Sequence, residues 1–412
     1  MVQGVIVGSH SFRDRLVLPA VAVASLALLQ PGIDPVFLTL LTAAHHVPPE
    51  SHGWIVGATQ GGMALGSVTA WVFARDMPGR LFVLAALGAF VAGLATVNVG
   101  AAMPLMAIRA GYGVAMGLLY THAMASAAQN RPSGAYGAVF LLQLVISTVV
   151  AVLLPIVSDM LGPRMALMTL CLAPLAVLAA FLLFPAALGG AAVPGSSPAR
   201  CPAAPAGEER QPVGMQGWLY AASALAFICA TMMVWSFTGA LAIEWRISED
   251  VVGRAVAMGS IAGAATALAV MREKPVVPPV VSGLVAGAML LAPIAGARGG
   301  DMAFVLAIVL FNLGSTAIIV RTSGLASGAS EDRLFRRFVT CTHSLGMIAG
   351  PVLGGIATWL MGALGLPVMA ALAIVAGCLA LGIAGFRAKP SRDDAVQHDE
   401  PQNDLALAVS FG

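Results

Sequence analysis

One aspartate stands inside the first apolar stretch of the chain. In "ALLQPGIDPVFLTLL", residues 27–41, Asp34 lies among Pro31, Gly32 and Pro35 in a run that otherwise suits lipid. An ionised Asp at the centre of a membrane helix costs about 2.5–3.5 kcal/mol on insertion scales, so such a carboxylate faces a cavity or a partner. Asp34 is the only acid well inside any apolar stretch, and a carboxylate in that position can take up and release a proton. Arg109 is the matching cation. Asp34 falls about 18 residues into a helix running outward and Arg109 about six residues into one running inward, which sets them at similar depth. A nearby Arg favours the charged carboxylate while burial opposes it, and a proton carrier needs that balance to change during its cycle. A static pair bracing two helices is the competing role.

Other polar groups lie deep in apolar runs: Gln60, Gln143, Trp235, Asn312, Arg321 and His343. At roughly 100° per residue, Tyr112, Met116 and Tyr120 share a helix face with Arg109, while His122 points elsewhere. Those six together with Tyr112 and Tyr120 are candidates for binding a substrate, and each could instead serve as packing or interhelical glue, the reading that suits Met116 better. Pro31, Gly32 and Pro35 are expected to break backbone bonding locally and free carbonyls toward a cavity, or simply to kink the helix. His45 and His46 are assigned to an external loop without further ligands, and no metal site is read.

The elements that must hold these groups follow from composition. Of 412 residues, 59% are hydrophobic and 10% charged, where a water-soluble domain carries about a quarter charged. Backbone groups in lipid must pair internally, so the apolar runs imply an all-α membrane protein. Twelve spans are read near 16–43, 53–74, 81–101, 103–128, 134–159, 165–187, 216–243, 250–271, 276–297, 301–324, 334–361 and 364–386. The expected organisation is an N-terminal six-helix bundle over 1–188, a Pro/Gly/Ala/Ser-rich cytoplasmic linker over 189–215, a C-terminal six-helix bundle over 216–388 and a disordered cytoplasmic tail over 389–412. With both termini inside, 15 of the 21 Lys and Arg fall on inner segments and only Arg164, Arg246, Arg254 and Arg298 outside; this bias sets the orientation. The N-terminus lacks the layout of a cleaved secretory signal, so the first run is expected to stay as a span. Scattered cysteines suggest no disulfide.

The halves resemble each other at a displacement of about 200 residues: Gln143 falls opposite His343, Gly113 near Gly314, and Asp34 opposite Val234. Two similar bundles with a site between them near the midplane are expected.

Three local patterns carry a resemblance to the major facilitator superfamily across nearly the whole chain. "VFARDMPGRL" resembles the family's cytoplasmic loop motif, keeping Asp76, Gly79 and Arg80 and departing at Val72, Met77 and Leu81. "RAGYGVA" matches an Arg-x-x-x-Gly pattern through Arg109 and Gly113, and "LGPRMAL" resembles a Gly-Trp-Arg turn with Pro163 in place of Trp. The glycine-proline pattern that proton-coupled exporters of the family carry in the fifth span is missing from "LVISTVVAVLLPIVSD" and occurs in the eleventh as Gly346, Gly350, Pro351, Gly354 and Gly355, where it also permits close packing and a bend.

The resemblance implies two pseudo-symmetric six-helix bundles whose first and fourth helices line a central cavity, and hence a secondary active transporter working by alternating access. Coupling would run through protons at Asp34, tuned by Arg109, with the proton gradient as energy source and no cofactor. Drug or metabolite efflux by antiport and uptake of an organic anion by symport both stay open. A non-transporting membrane receptor or scaffold is the alternative of another class. No HExxH, Gly-x-Ser-x-Gly or phosphate-binding glycine loop points to an enzyme. The expected setting is a multi-pass monomer in the inner or plasma membrane, with a small molecule, protons and lipid as partners and no nucleic acid.

Overall fold

A computed structural model describes residues 18–47, 51–73, 78–129, 131–188, 213–271 and 277–387. Asp76, nearly all of the expected linker and the C-terminal tail lie outside the described residues. Those described fold into helices α1 (Leu18–Ala27), α2 (Leu29–His45), α3 (His52–Val72), α4 (Gly79–Asn98), α5 (Ala102–Ala127), α6 (Pro132–Leu161), α7 (Pro163–Thr169) and α8 (Leu172–Leu183) in the N-terminal half. The C-terminal half follows with α9 (Met215–Glu244), α10 (Glu249–Val270), α11 (Pro279–Leu290), α12 (Ala292–Gly296), α13 (Asp301–Gly328), α14 (Arg333–Met361) and α15 (Gly365–Arg387). No strand occurs among the described residues.

Among these residues nine helical stretches are long and apolar enough to cross a membrane, with α14 and α15 forming one of them, and α1 and part of α2 add shorter apolar helices. The helices fall on the stretches read from the sequence, three of which are broken into two pieces. Each break comes shortly before a proline: Leu28 before Pro31, Leu170 and Cys171 before Pro174, and Leu291 before Pro293. A proline has no N–H to give the carbonyl four residues earlier and its ring crowds that carbonyl. The first break is therefore displaced from its expected place. Pro31, Gly32 and Pro35 lie inside α2, and the turn falls at Leu28, next to the Ala27 carbonyl that Pro31 cannot satisfy. Pro351 sits within α14 with no break. His45 belongs to the last turn of α2, and His46 caps it in the left-handed region at φ 57°.

Close packing rests on glycine. α3 and α5 meet through Gly62 and Gly66 on one side and Gly113 and Gly117 on the other; a Cβ on any of the four would strike the partner helix's backbone. In α14, Gly350 approaches the α9 backbone at Cys229 and Met233 in the same manner, while Gly346 and Gly354 press on the side chains of Ile228, Met233 and Phe237. Gly355 faces open space, so the expected packing role stops one residue short of it.

The bundle has two ends. The terminal end collects Leu18, the α3–α4 and α5–α6 connections, Met215, the α13–α14 connection and Arg387; the far end collects the α2–α3, α4–α5, α9–α10 and α14–α15 connections.

Candidate functional site

A cavity lies between the halves in three connected lobes. The deep lobe, about 120 Å³, is bounded by Phe140 and Gln143 of α6, Trp235 of α9, Phe311 and Asn312 of α13 and His343 of α14. Above it a mouth of about 500 Å³ opens toward the far end and carries Asp34, His52, Gln60 and Pro351. A side slot of about 500 Å³ runs between α2 and α6 on one wall and α9 and α10 on the other. Pro31, Gly32, Ser147, Trp235, Val256 and Ser260 each border more than one lobe, which makes the space continuous. Gly32 is needed there, because a Cβ would run into the side chains of Ser147 and Gln143.

Among the described residues Asp34 is the only carboxylate on these walls. The Gln30 amide donates to its Oδ1 at 2.8 Å from one turn earlier on α2, and the Gln60 side chain approaches it from α3. Arg109 makes no ion pair with it. The guanidinium is buried one layer behind, where its Nε donates to Thr59 Oγ1 at 3.1 Å and its plane lies over the rings of Phe37 at 4.5 Å and Tyr112 at 4.4 Å. Gln30, Tyr112 and Arg109 share a small void with Gly93, Thr96, Leu170 and Cys171, which has no lining residue in common with the three lobes. Gln30 thus stands between the two charges. The direct pairing that the family resemblance implied for two groups at similar depth gives way to this arrangement because α5 is turned so that Arg109 meets aromatic faces, and a guanidinium is stabilised over such rings.

Five of the eight substrate candidates border the cavity: Gln60 at the mouth, Gln143, Asn312 and His343 in the deep lobe, and Trp235 in both. His343 packs against Phe140 at 5.5 Å and Tyr120 at 5.9 Å between ring centroids, and its Nδ1 has no hydrogen-bond partner. Trp235 stacks on Phe311 at 5.7 Å. Tyr112, Tyr120 and Arg321 border none of the three lobes. Tyr112 lies under Arg109, Tyr120 is fully buried, and Arg321 is partly exposed beside Tyr220. His122 bonds the Leu188 carbonyl, in keeping with its turn away from Arg109. Residues that sequence reasoning passed over are Gln30, Thr59, Phe140 and Phe311. Gln30 was within reach, since four residues separate it from Asp34 and helix side chains at that spacing meet.

No protein-family profile and no curated protein sequence matches the chain. Solved structures do. The crystal structure of the human organic anion transporter MFSD10 (TETRAN) superposes with a TM-score of 0.62 at 16% identity, over 90% of this chain and 100% of that one. The chain has the major facilitator fold. At that identity the match speaks for architecture, and the cavity's chemistry must be argued from its own residues.

At the terminal end the two halves close on each other. Ser67 Oγ of α3 and Ser344 Oγ of α14 are 2.8 Å apart, and Tyr136 Oη of α6 is 3.3 Å from Thr340 Oγ1. Trp71 packs on Phe338 at 5.0 Å. Arg336 ties the two halves' helix ends together: its Nη1 donates to the Gln129 carbonyl just past α5, at 3.1 Å, and its Nε to the Ser330 carbonyl just past α13, also at 3.1 Å. Carbonyls at helix C-termini carry the negative end of the dipole, so one cation satisfies both. Gly79 and Arg80 of the loop motif open α4, where a Cβ on Gly79 would press on Phe181. Of that motif's expected conformational role, only this packing falls among the described residues, since Asp76 does not.

Proposed function

We propose that the protein is a secondary active transporter that exports a lipophilic organic cation in exchange for protons, with Asp34 binding either the proton or the cargo's charge. The observation carrying this reading is that Asp34 borders the cavity on neutral amide partners while Arg109 is engaged elsewhere. A carboxylate locked in an ion pair would have little reason to protonate; one held by Gln30 and approached by Gln60 keeps a face free for a proton or a cation. No Lys or Arg is among the residues bordering the three lobes, and the aromatic pair Trp235 and Phe311 suits a cation or an apolar ring.

The cycle follows from competition for one site. With the far end open to the outside, the orientation the Lys and Arg bias favours, Asp34 takes a proton and is neutralised. The loaded halves rock, the far end closes, and the seal around Ser67, Ser344 and Arg336 opens inward. There the cargo displaces the proton and the return carries it out. No cofactor enters, a single chain suffices, and the proton gradient supplies the energy.

Uptake of an organic anion draws on the MFSD10 likeness, yet Arg109 would first have to leave its aromatic cradle to reach such a cargo. Purified protein in proteoliposomes separates the readings. A pH gradient should drive uptake of a quaternary ammonium probe against its concentration gradient, and Asp34→Asn should abolish the drive. Gradient-driven movement of organic carboxylates instead, with quaternary ammonium ignored, contradicts the cation reading. Absence of any proton-coupled flux alongside pH-dependent ligand binding points to a receptor.

A further inference from the structure

The side slot is chemically unlike the rest of the cavity. Where the mouth carries Asp34, His52 and Gln60, the slot's lining holds no charge, no amide and no aromatic ring. Three of its four hydroxyls are engaged on their own helices: Thr39 Oγ1 donates to the Val36 carbonyl and Thr148 Oγ1 to the Leu144 carbonyl, each at 2.8 Å, while Ser147 Oγ accepts from the Gln143 amide at 3.2 Å. Apart from the Ser260 hydroxyl, where the slot meets the deep lobe, what faces the space is aliphatic. Ala151 and Val152 of α6, one turn beyond Ser147 and Thr148, look across at Val252 and Gly253 and, one turn on, Val256 and Ala257 of α10.

The slot exists because α6 and α10 part. Toward the terminal end they touch: a Cβ on Gly263 would meet Leu144 at 3.1 Å, and one on Gly137 would run into Met271. One turn farther along, at Ser147 and Ser260, the walls separate. Beyond the slot the same helices turn exposed Val149 and Leu153, and Met258 and Ile261, outward, the surface a helix offers to lipid chains. Water gains little in such a space, and its volume is in the range that holds a drug-sized group.

We infer that the slot between α6 and α10 seats an aliphatic chain of the cargo, which is therefore an amphipathic cation with its head at Asp34 and its tail between the two helices. The proposal rests on the cation reading above and adds the tail. Continuity through Gly239, Val252 and Val256 connects the two sites, and the division of polar and aliphatic walls matches the two ends of such a molecule.

The test uses an alkyltrimethylammonium series, from tetramethyl- to decyltrimethylammonium, bound to the full chain in nanodiscs. Each methylene that the slot takes is worth up to ~4-fold in affinity. A bulky residue on either wall, Ala257→Trp or Ala151→Trp, should therefore weaken decyltrimethylammonium at least roughly tenfold more than tetramethylammonium. Comparing variant with wild type in the same lipid cancels partitioning into the bilayer. Leu372→Trp, on the outer face of α15, should alter no ratio. Losses independent of chain length in both wall variants, with tetramethylammonium binding still dependent on Asp34, overturn the slot and leave the cation site standing. A wild-type protein that binds no member of the series overturns both.

Discussion

At matching depth the two halves of the molecule are built on different principles. The N-terminal half sets a carboxylate at the cavity, two glutamines around it and a guanidinium behind, stacked on two aromatic rings. The C-terminal half has Val234 at the place corresponding to Asp34, wholly buried, and brings Trp235, Phe311, Asn312 and the His343 imidazole to the cavity. One half handles charge and the other supplies shape. In the proposed cycle two similar bundles have no physical need for two proton sites: both halves would move as the cavity changes sides, so a single carboxylate between them would meet both compartments.

The sharpest way to break this comparison is to remove the charge from the half that holds it. Asp34→Asn keeps the Gln30 contact and the volume but cannot release a proton, so proton-driven flux measured in proteoliposomes should fall roughly tenfold or more, toward leak. Moving the acid to the other half should fail as well. An Asp34→Val, Val234→Asp exchange places a carboxylate in a sealed apolar position at a cost of about 3 kcal/mol, and it should show lowered thermal stability with no coupling. Restored coupling would mean that the halves are interchangeable after all.

Arg109 is predicted to matter for folding before chemistry. Arg109→Ala strips Thr59, Phe37 and Tyr112 of their shared partner and should cost about 2–3 kcal/mol, read as a lowered melting temperature in detergent. Arg109→Lys should not restore it, because an ammonium cannot lie flat between two rings. If Lys restores stability, simple charge compensation of Asp34 is the better description. A smaller effect is expected at the seal. Arg336→Ala should raise the accessibility of a cysteine placed at Ser67 to a water-soluble thiol reagent a few-fold, as roughly 1–2 kcal/mol of charge-assisted bonding across the closed end is lost.

How much of this could be read in advance depended on whether the signal was local. An acid, an amide or an imidazole in an otherwise apolar run is conspicuous, and Asp34, Gln60, Gln143, Trp235, Asn312 and His343 all reach the cavity. Helix positions were legible for the same reason, because lipid forces long apolar runs. The facing of α5 was not. That helix is apolar almost all round, so nothing in the sequence marks which side turns to the partner half, and Arg109, Tyr112 and Tyr120 were expected at the cavity when the α3–α5 glycine contact turns them into the bundle. The break at Leu28 was legible in kind and misplaced in position: Pro31 was recognised, while its effect falls on the carbonyl one turn earlier. The slot escaped notice because its walls are ordinary Ala, Val and Gly, and only the divergence of α6 and α10 makes them a site.

The central claim is that one carboxylate, in one half, exchanges a proton for the charge of the cargo. It is tested most directly by recording proton release and quaternary ammonium uptake together in the same proteoliposomes, with the membrane potential clamped at two values. A one-for-one exchange at Asp34 is electroneutral, so the account predicts equal fluxes that are insensitive to potential in the wild type and absent in Asp34→Asn. Potential-dependent transport of the monovalent cation, or coupled flux that survives Asp34→Asn, would contradict it.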